Sequence, residues 1–185
     1  NLDQVGAALA VRHLVEHGHR RLAHVTLSTR PGPAMRRVGF LAEAERLGLR
    51  EGVQVIGPGS APEGIELLLR ALRRGDPDAP TAVFAANDIA AVEVLHRAAD
   101  LGIQVPAQFS VVGYDSSAVA LTVRPHLTSV NQPRQAMGKL AAQMLRERLA
   151  GRPHDASASV EPVLKVRDST GPGPALRQRS PKAGV

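Results

Sequence analysis

The sequence predicts an α/β fold built on a parallel β-sheet with helices on both faces. The clearest unit is an apolar strand at Thr81–Ala86, a helix at Asp88–Asp100 and a second strand at Phe109–Gly113. Strands that alternate with helices of this length need right-handed crossovers, and such crossovers make neighbouring strands parallel. Adjacent apolar pairs such as Val83–Phe84 and Val111–Val112 fit strands that are buried on both faces.

The same alternation extends to both sides of this unit. Further strands are predicted at Leu22–Leu27, Val53–Ile56, Leu127–Asn131 and Val160–Val166. Further helices are predicted at residues 4–17, 34–47, Pro62–Arg74 and Pro133–Leu149. Glycines at 18, 48 and 102 follow helical periods as C-caps. Residues 171–185 carry no periodicity, and we expect them to be disordered.

Composition excludes several classes of function. The chain has no Cys, so disulfides, thiolate zinc sites and a cysteine nucleophile are absent, which fits the cytoplasmic location that we expect. Aromatic residues make up 2%, so few rings can stack on a ligand or a base. The net charge of +6 is spread thinly and predicts a solvated basic surface rather than a nucleic-acid platform. No apolar run approaches the roughly 20 residues of a membrane span, and we expect no membrane partner.

Polar side chains follow two of the predicted strands and indicate a binding crevice. Asn87 and Asp88 come directly after one apolar strand, and Asp115 follows another. Open α/β sheets bind ligands beyond the carboxyl ends of their strands. We therefore predict ligand contacts for Asn87 and Asp115. Asp88 is also a candidate for ligand contact, but the favoured interpretation is that it is the N-cap of the next helix. Arg36, near the start of another helix, either faces the same crevice or is solvated.

No catalytic constellation emerges, and we expect neither an enzyme nor a bound cofactor or metal. The strongest competing motif is His13-x-x-Glu16-His17, which matches the inverted zinc-peptidase pattern and places both histidines on one helix face. Leu14 and Val15, however, belong to the core stripe of that helix, and no distal helix offers a third ligand. An amphipathic helix is the favoured interpretation, with a zinc hydrolase as a distant alternative.

Several segments taken in order resemble the LacI/GalR family of bacterial transcription regulators. They are Gly6–Ala23 (GAALAVRHLVEHGHRRLA), Arg36–Phe40 (RRVGF), Pro80–Ala91 (PTAVFAANDIAA), Val105–Asp115 (VPAQFSVVGYD), Pro125–Gly138 (PHLTSVNQPRQAMG) and Val163–Gly171 (VLKVRDSTG). Their order and spacing fit from residue 1 to about 171, which is nearly the whole chain.

This resemblance implies two Rossmann-like lobes of the type I periplasmic-binding-protein kind, with a small effector, a sugar or a nucleoside, between them. By motif, Arg36, Asn87 and Asp115 fall on effector contacts, and Asp3 aligns more loosely with an acidic position near the cleft. We expect residues 20–119 and 152–170 to form a nearly complete C-terminal lobe. Residues 1–19 and 120–150 are expected to be remnants of the N-terminal lobe. The parent would be a homodimeric repressor that binds operator DNA through a helix-turn-helix missing from this sequence.

The chain also departs from the family pattern. Ser116 stands where the family usually repeats the acid, and Gly59 stands where some sugar-binding members carry a stacking aromatic. The apolar stripe of residues 133–149 would pack against strands outside this sequence, so we expect the chain to self-associate or to be marginally stable. A periplasmic sugar-binding protein of a transporter, which shares the fold, is the main alternative function.

Overall fold

The structure is a computed structural model that describes residues 2–151 and 157–174. Within these residues, six strands form one sheet in the order β2-β1-β3-β4-β5-β6. The strands are β1 (Leu22–Val25), β2 (Val53–Ile56), β3 (Ala82–Ala85), β4 (Ser110–Tyr114), β5 (Thr128–Asn131) and β6 (Val163–Lys165). The pairs from β2 through β5 are parallel, and only the edge strand β6 runs antiparallel, against β5. The predicted parallel sheet is therefore confirmed.

Six α-helices occur in the described ranges. They are α1 (Asp3–Glu16), α2 (Pro31–Arg46), α3 (Ala61–Arg73), α4 (Asp88–Asp100), α5 (Val119–Thr122) and α6 (Arg134–Leu149). Helix α2 begins three residues earlier than predicted, because Pro31 fits the first turn of a helix instead of interrupting it. The one-turn helix α5 lies in a segment for which no element was predicted. No helix in the described part of the chain has both the length and the apolarity to cross a bilayer.

Each face of the sheet has its own core. Val83 and Val111 pack with α3 and α4 on one face, and Phe84 and Val112 pack with α1 and α2 on the other. Adjacent residues therefore point to opposite faces, and both are fully buried. This is the reason that the strands are continuous apolar runs in the sequence.

Helix α1 lies in the same core as the central strands. Ala7, Ala10, Val11 and Leu14 are fully buried on the face that carries Phe84. Strand β5 hydrogen-bonds to β4 inside the same sheet. Helix α1 and strand β5 thus complete the layers formed by residues 20–119.

Helix α6 is the exception, because none of its residues is buried within the described structure. Leu145 and Leu149 are 58% and 79% exposed. Met137 and Met144 border a small hollow of about 180 Å³ beside residues 158–160. The apolar stripe that the sequence predicted is thus present and mostly uncovered.

The start of the predicted disordered tail is bound to the domain. The Gly171 amide donates to Ser110 Oγ (3.1 Å), and the Gly173 amide donates to the carbonyl of His17 (2.7 Å). Residues 175–185 of that predicted tail lie outside the described residues.

Gly39 allows α1 and α2 to touch backbone to backbone, and this contact gives a first testable prediction. A Cβ at position 39 would lie 2.5 Å from the carbonyl oxygen of Gln4 and 2.6 Å from its Cα. We expect Gly39→Ala to lower the free energy of unfolding by about 1–3 kcal/mol, because the helices must separate. Urea denaturation measures this change.

Gly138, in α6, is the matched control, because a Cβ there meets nothing within 4 Å. Gly138→Ala should leave stability unchanged or raise it by up to about 1 kcal/mol through helix propensity. Equal effects of the two substitutions would contradict the close contact at Gly39.

Candidate functional site

The carboxyl ends of β1, β3 and β4 meet at one edge of the sheet, where the chain leaves an open cleft of about 640 Å³. Its walls come from the segment between β1 and α2, from the start of α4 and from the end of β4. Three of the predicted site residues, Arg36, Asn87 and Asp115, line this cleft. Parallel pairing explains why side chains so distant in sequence lie together, since it brings these strand ends to the same edge.

Arg36 is only 6% exposed and contacts Asp3, Tyr114 and Asp115. These four residues are called the Arg36 cluster. Its Nε donates to Asp3 Oδ1 (2.8 Å), and its Nη1 donates to the carbonyl of Ala86 (2.7 Å). Nη2 lies 3.5 Å from Asp115 Oδ1, and the guanidinium carbon lies 3.7 Å from the centre of the Tyr114 ring. Because a guanidinium has five N–H donors, these contacts hold the group in place without using all of them.

Asp3 is brought into the site by α1, and it lies behind Arg36 rather than on the cleft wall. It is 5% exposed, and its Oδ1 also accepts a hydrogen bond from Gln132 Nε2 (3.2 Å). A buried carboxylate needs an opposite charge and hydrogen-bond donors, and Arg36 and Gln132 supply both. The geometry therefore pairs Asp3 with Arg36 as a support for its guanidinium.

Asp115 occupies a strained and partly buried position. Its backbone φ is +103°, a value that L-residues rarely adopt. Burial raises the pKa of its carboxyl, and the nearby Arg36 guanidinium acts in the opposite direction. Asp115 also borders a second hollow of about 530 Å³ that is shared with residues 131–136 at the start of α6.

The predicted roles of Asn87 and Asp88 are corrected by the structure in one respect. Asn87 is the N-cap of α4, and its Oδ1 accepts a hydrogen bond from the amide of Ala90 (2.8 Å). Asp88 is already inside the helix and is 1% exposed, so the prediction that it caps α4 is wrong. Asn87 has an extended backbone and precedes the first turn of α4. These are the properties that let an N-cap side chain accept from the amide three residues later.

The sequence interpretation missed several residues of the site. Ser28 and Arg30 line the cleft from the segment before α2. The Tyr114 ring packs against the Arg36 guanidinium, and the Gln132 side chain donates a hydrogen bond to Asp3. Arg30 and Tyr114 adjoin the predicted elements, and a search for polar or aromatic residues around every strand end would have found them. Gln132 follows β5, whose neighbour β4 carries Asp115, and the same rule applies to it.

The histidines of the zinc-like motif have protein partners. His13 Nε2 lies 2.9 Å from Thr170 Oγ1, and His17 Nδ1 lies 2.7 Å from the carbonyl of His13. Burial, followed by the neighbouring His17, lowers the pKa of His13 to about 4. No cluster of three or more His, Cys, Asp or Glu side chains suited to a metal occurs in residues 2–151 and 157–174. The motif therefore joins α1 to the C-terminal segment.

A parallel sheet with a polar cleft beyond the carboxyl ends of its strands is typical of ligand-binding α/β domains. Residues 11–170 match the periplasmic binding protein-like domain family, and the chain belongs to that family. Within it, the chain resembles the effector domains of LacI-family regulators, as the sequence motifs predicted.

Curated relatives and solved structures agree on this placement. The transcriptional repressor PurR of Proteus mirabilis is 33% identical over 183 residues, which are 94% of this chain and 52% of that relative. PurR of Yersinia enterocolitica is 35% identical over 174 residues, 91% of this chain and 50% of the relative. The chain thus spans about half the length of the curated relatives it matches.

Among structures, a LacI transcriptional regulator from a Rhodococcus species has a TM-score of 0.79 and 36% identity over 92% of this chain and 63% of its own. A LacI family regulator from Enterococcus faecium, solved with bound ribose, has a TM-score of 0.77 and 25% identity over 92% of this chain and 63% of its own. These relatives are transcription regulators, and a periplasmic transporter component is therefore not the favoured alternative.

Proposed function

We propose that this chain is the effector-sensing part of a LacI-type transcription regulator. The observation that carries the proposal is the Arg36 cluster, held by hydrogen bonds and ion pairs at the edge of the cleft. Arg36, Asn87 and Asp115 would contact the effector, while Asp3 would act indirectly through Arg36. The function is binding linked to conformation, with no bond made or broken and with no cofactor.

The chemistry of this wall suits a small polar molecule of the sugar or nucleoside class. Arg36 and Asn87 offer N–H donors, and Asp115 offers acceptors that grip hydroxyl or ring N–H groups. Among the described residues that line the cleft, none is aromatic, so ring stacking from them does not contribute on this side. The ribose bound by the Enterococcus faecium relative is a molecule of this class.

The packing suggests a revised division of the chain. We assign α1 through β5, together with residues 163–170, to one lobe, because they share one sheet and its two cores. Helix α6 belongs in this proposal to the opposite lobe, whose remaining elements would cover its apolar stripe. The opposite wall of the cleft and the operator-reading helix-turn-helix would lie outside these 185 residues. The whole regulator would be a cytoplasmic homodimer.

Asn87→Asp tests the site while leaving the fold intact, because Asp retains the oxygen that caps α4 but lacks the amide donor. We expect the variant to unfold like the native protein and to lose about tenfold or more in effector affinity. Thermal shift against D-ribose, other pentoses, hexoses, nucleosides and purines identifies the effector, and calorimetry then compares the two proteins.

Asn87→Ser is the matched control for the cap, since Ser also caps helices but offers a shorter donor. Unchanged affinity in both variants would remove Asn87 from the site. The absence of a response to every compound in the screen, from the intact native protein, would contradict the proposed effector class.

A further inference from the structure

The carboxylate of Asp88, which is 1% exposed, accepts three hydrogen bonds. Its Oδ2 accepts hydrogen bonds from the Ser117 amide (2.7 Å) and from Ser117 Oγ (2.8 Å). Its Oδ1 accepts a third from Ser129 Oγ (2.6 Å). One buried side chain of α4 thus connects the segment after β4 with strand β5.

The surroundings of Asp88 are fitted to this carboxylate. A Cβ at position 113 would lie 2.5 Å from Asp88 Oδ1, so Gly113 leaves the space that the group occupies. No ion pair of Asp88 occurs among the described residues. The charge instead lies in the first turn of α4, where the helix dipole and the three donors stabilise it.

The segment that Asp88 holds, residues 115–118, needs an external constraint. Asp115 and Ser116 have φ values of +103° and +45°, and non-glycine residues in such conformations persist only where their surroundings fix them. The Ser116 amide donates to Ser129 Oγ (3.0 Å), and Arg167 Nη2 donates to Ser116 Oγ (2.8 Å). On the side of the sheet, Asp88 and Ser129 therefore hold the Ser117 and Ser116 amides, and the Val130 carbonyl accepts from the Asp115 amide (2.8 Å).

We propose that Asp88 is a positioning residue, which fixes residues 115–118 so that the Asp115 carboxylate stays beside Arg36 and the cleft. The importance of this for effector binding rests on the proposed function above; the positioning itself does not. The conformation of Asp115 then depends in part on Asp88, which is 27 positions earlier in the chain and only 1% exposed.

Hydrogen exchange by mass spectrometry on the intact, ligand-free protein tests the positioning. We expect Asp88→Ala to speed exchange in residues 115–118 by about tenfold or more, with the second half of α4 unchanged. Asp88→Asn should restore slow exchange, because the side-chain oxygen of Asn still accepts from the Ser117 amide. Asp100→Ala, at the exposed end of the same helix, is the control and should leave residues 115–118 unaffected.

Unchanged exchange at residues 115–118 in Asp88→Ala would overturn the proposal, and so would equal acceleration in α4, which indicates a general loss of stability. If Asp88→Ala does not fold, Ser129→Ala replaces it, since it removes one contact to Asp88 and one to the Ser116 amide. The same local acceleration is expected there, and its absence would likewise overturn the proposal.

Titration with D-ribose is a separate experiment, which tests whether Asp88 matters for effector binding. Where the native protein binds ribose, we expect Asp88→Ala to weaken binding about tenfold or more and Asp88→Asn to retain most of it. If the native protein does not bind D-ribose, ribose is excluded as the effector, while the exchange result still decides the role of Asp88.

Discussion

Arg36→Ala is expected to lower the free energy of unfolding by about 3–5 kcal/mol, the largest loss of any single substitution in the cluster. The substitution leaves the Asp3 carboxylate, 5% exposed, without its cation, and it leaves the Ala86 carbonyl without its side-chain donor. A buried charge that loses its partner keeps its full desolvation penalty. Urea denaturation at pH 7 measures the change.

Two comparisons separate this effect from the loss of any arginine. Arg37 is the neighbouring, exposed arginine, and Arg37→Ala should change stability by less than about 0.5 kcal/mol. Adding Asp3→Asn to Arg36→Ala should recover part of the loss, because the neutral amide costs less to bury unpaired. Additive losses in the double variant would contradict the pairing of Asp3 with Arg36.

Acid is expected to destabilise the protein through His24, a fully buried side chain of β1. Burial lowers the pKa of His24 from 6.5 to about 4, with a hydrogen bond to the Phe84 carbonyl opposing the shift and the charges of Arg37 and Arg36 adding to it. The ring packs against both Phe40 and Phe84, at centroid distances of 5.3 Å and 5.2 Å. In the folded state the neutral form is therefore favoured.

Because the folded-state pKa is below the unfolded value, the unfolded chain takes up the proton first as the pH falls. The stability that neutral His24 contributes to the folded state is present in full above about pH 6.5, and it is lost progressively as the pH falls to about 4. At one pKa unit per 1.36 kcal/mol, the loss from His24 amounts to about 3 kcal/mol. Urea unfolding at a series of pH values from 7 to 4 measures it.

His24→Leu should flatten this pH dependence, and His96→Leu, which removes an exposed histidine of α4, should not. Some acid sensitivity should remain in His24→Leu, because burial also lowers the pKa of His13 to about 4. A native-like slope in His24→Leu between pH 6.5 and 4 would contradict the neutral, buried ring.

The sequence by itself determined the sheet and the place of the cleft. Apolar runs such as Val83–Phe84 need burial on both faces, and the helices between them have the length of parallel crossovers. Polar residues that follow these strands then fall at one edge, which is why Asn87 and Asp115 could be predicted as neighbours. The ordered motifs identified the family for the same reason: they mark the strand ends and helix starts that the fold requires.

Only the tertiary structure decided which of these groups pair. The N-cap of α4 is Asn87, whereas the sequence predicted Asp88. The exact start of a helix depends on backbone angles, and the pattern of side chains does not fix it to a single residue. The partnership of Arg36 with Asp3 spans 33 positions, and the contacts of Asp88 with Ser117 and Ser129 span 29 and 41. Such contacts arise from the packing of α1 and β5 into the same layers as the central strands. Local periodicity reports which face of an element is buried, but not which element will cover it.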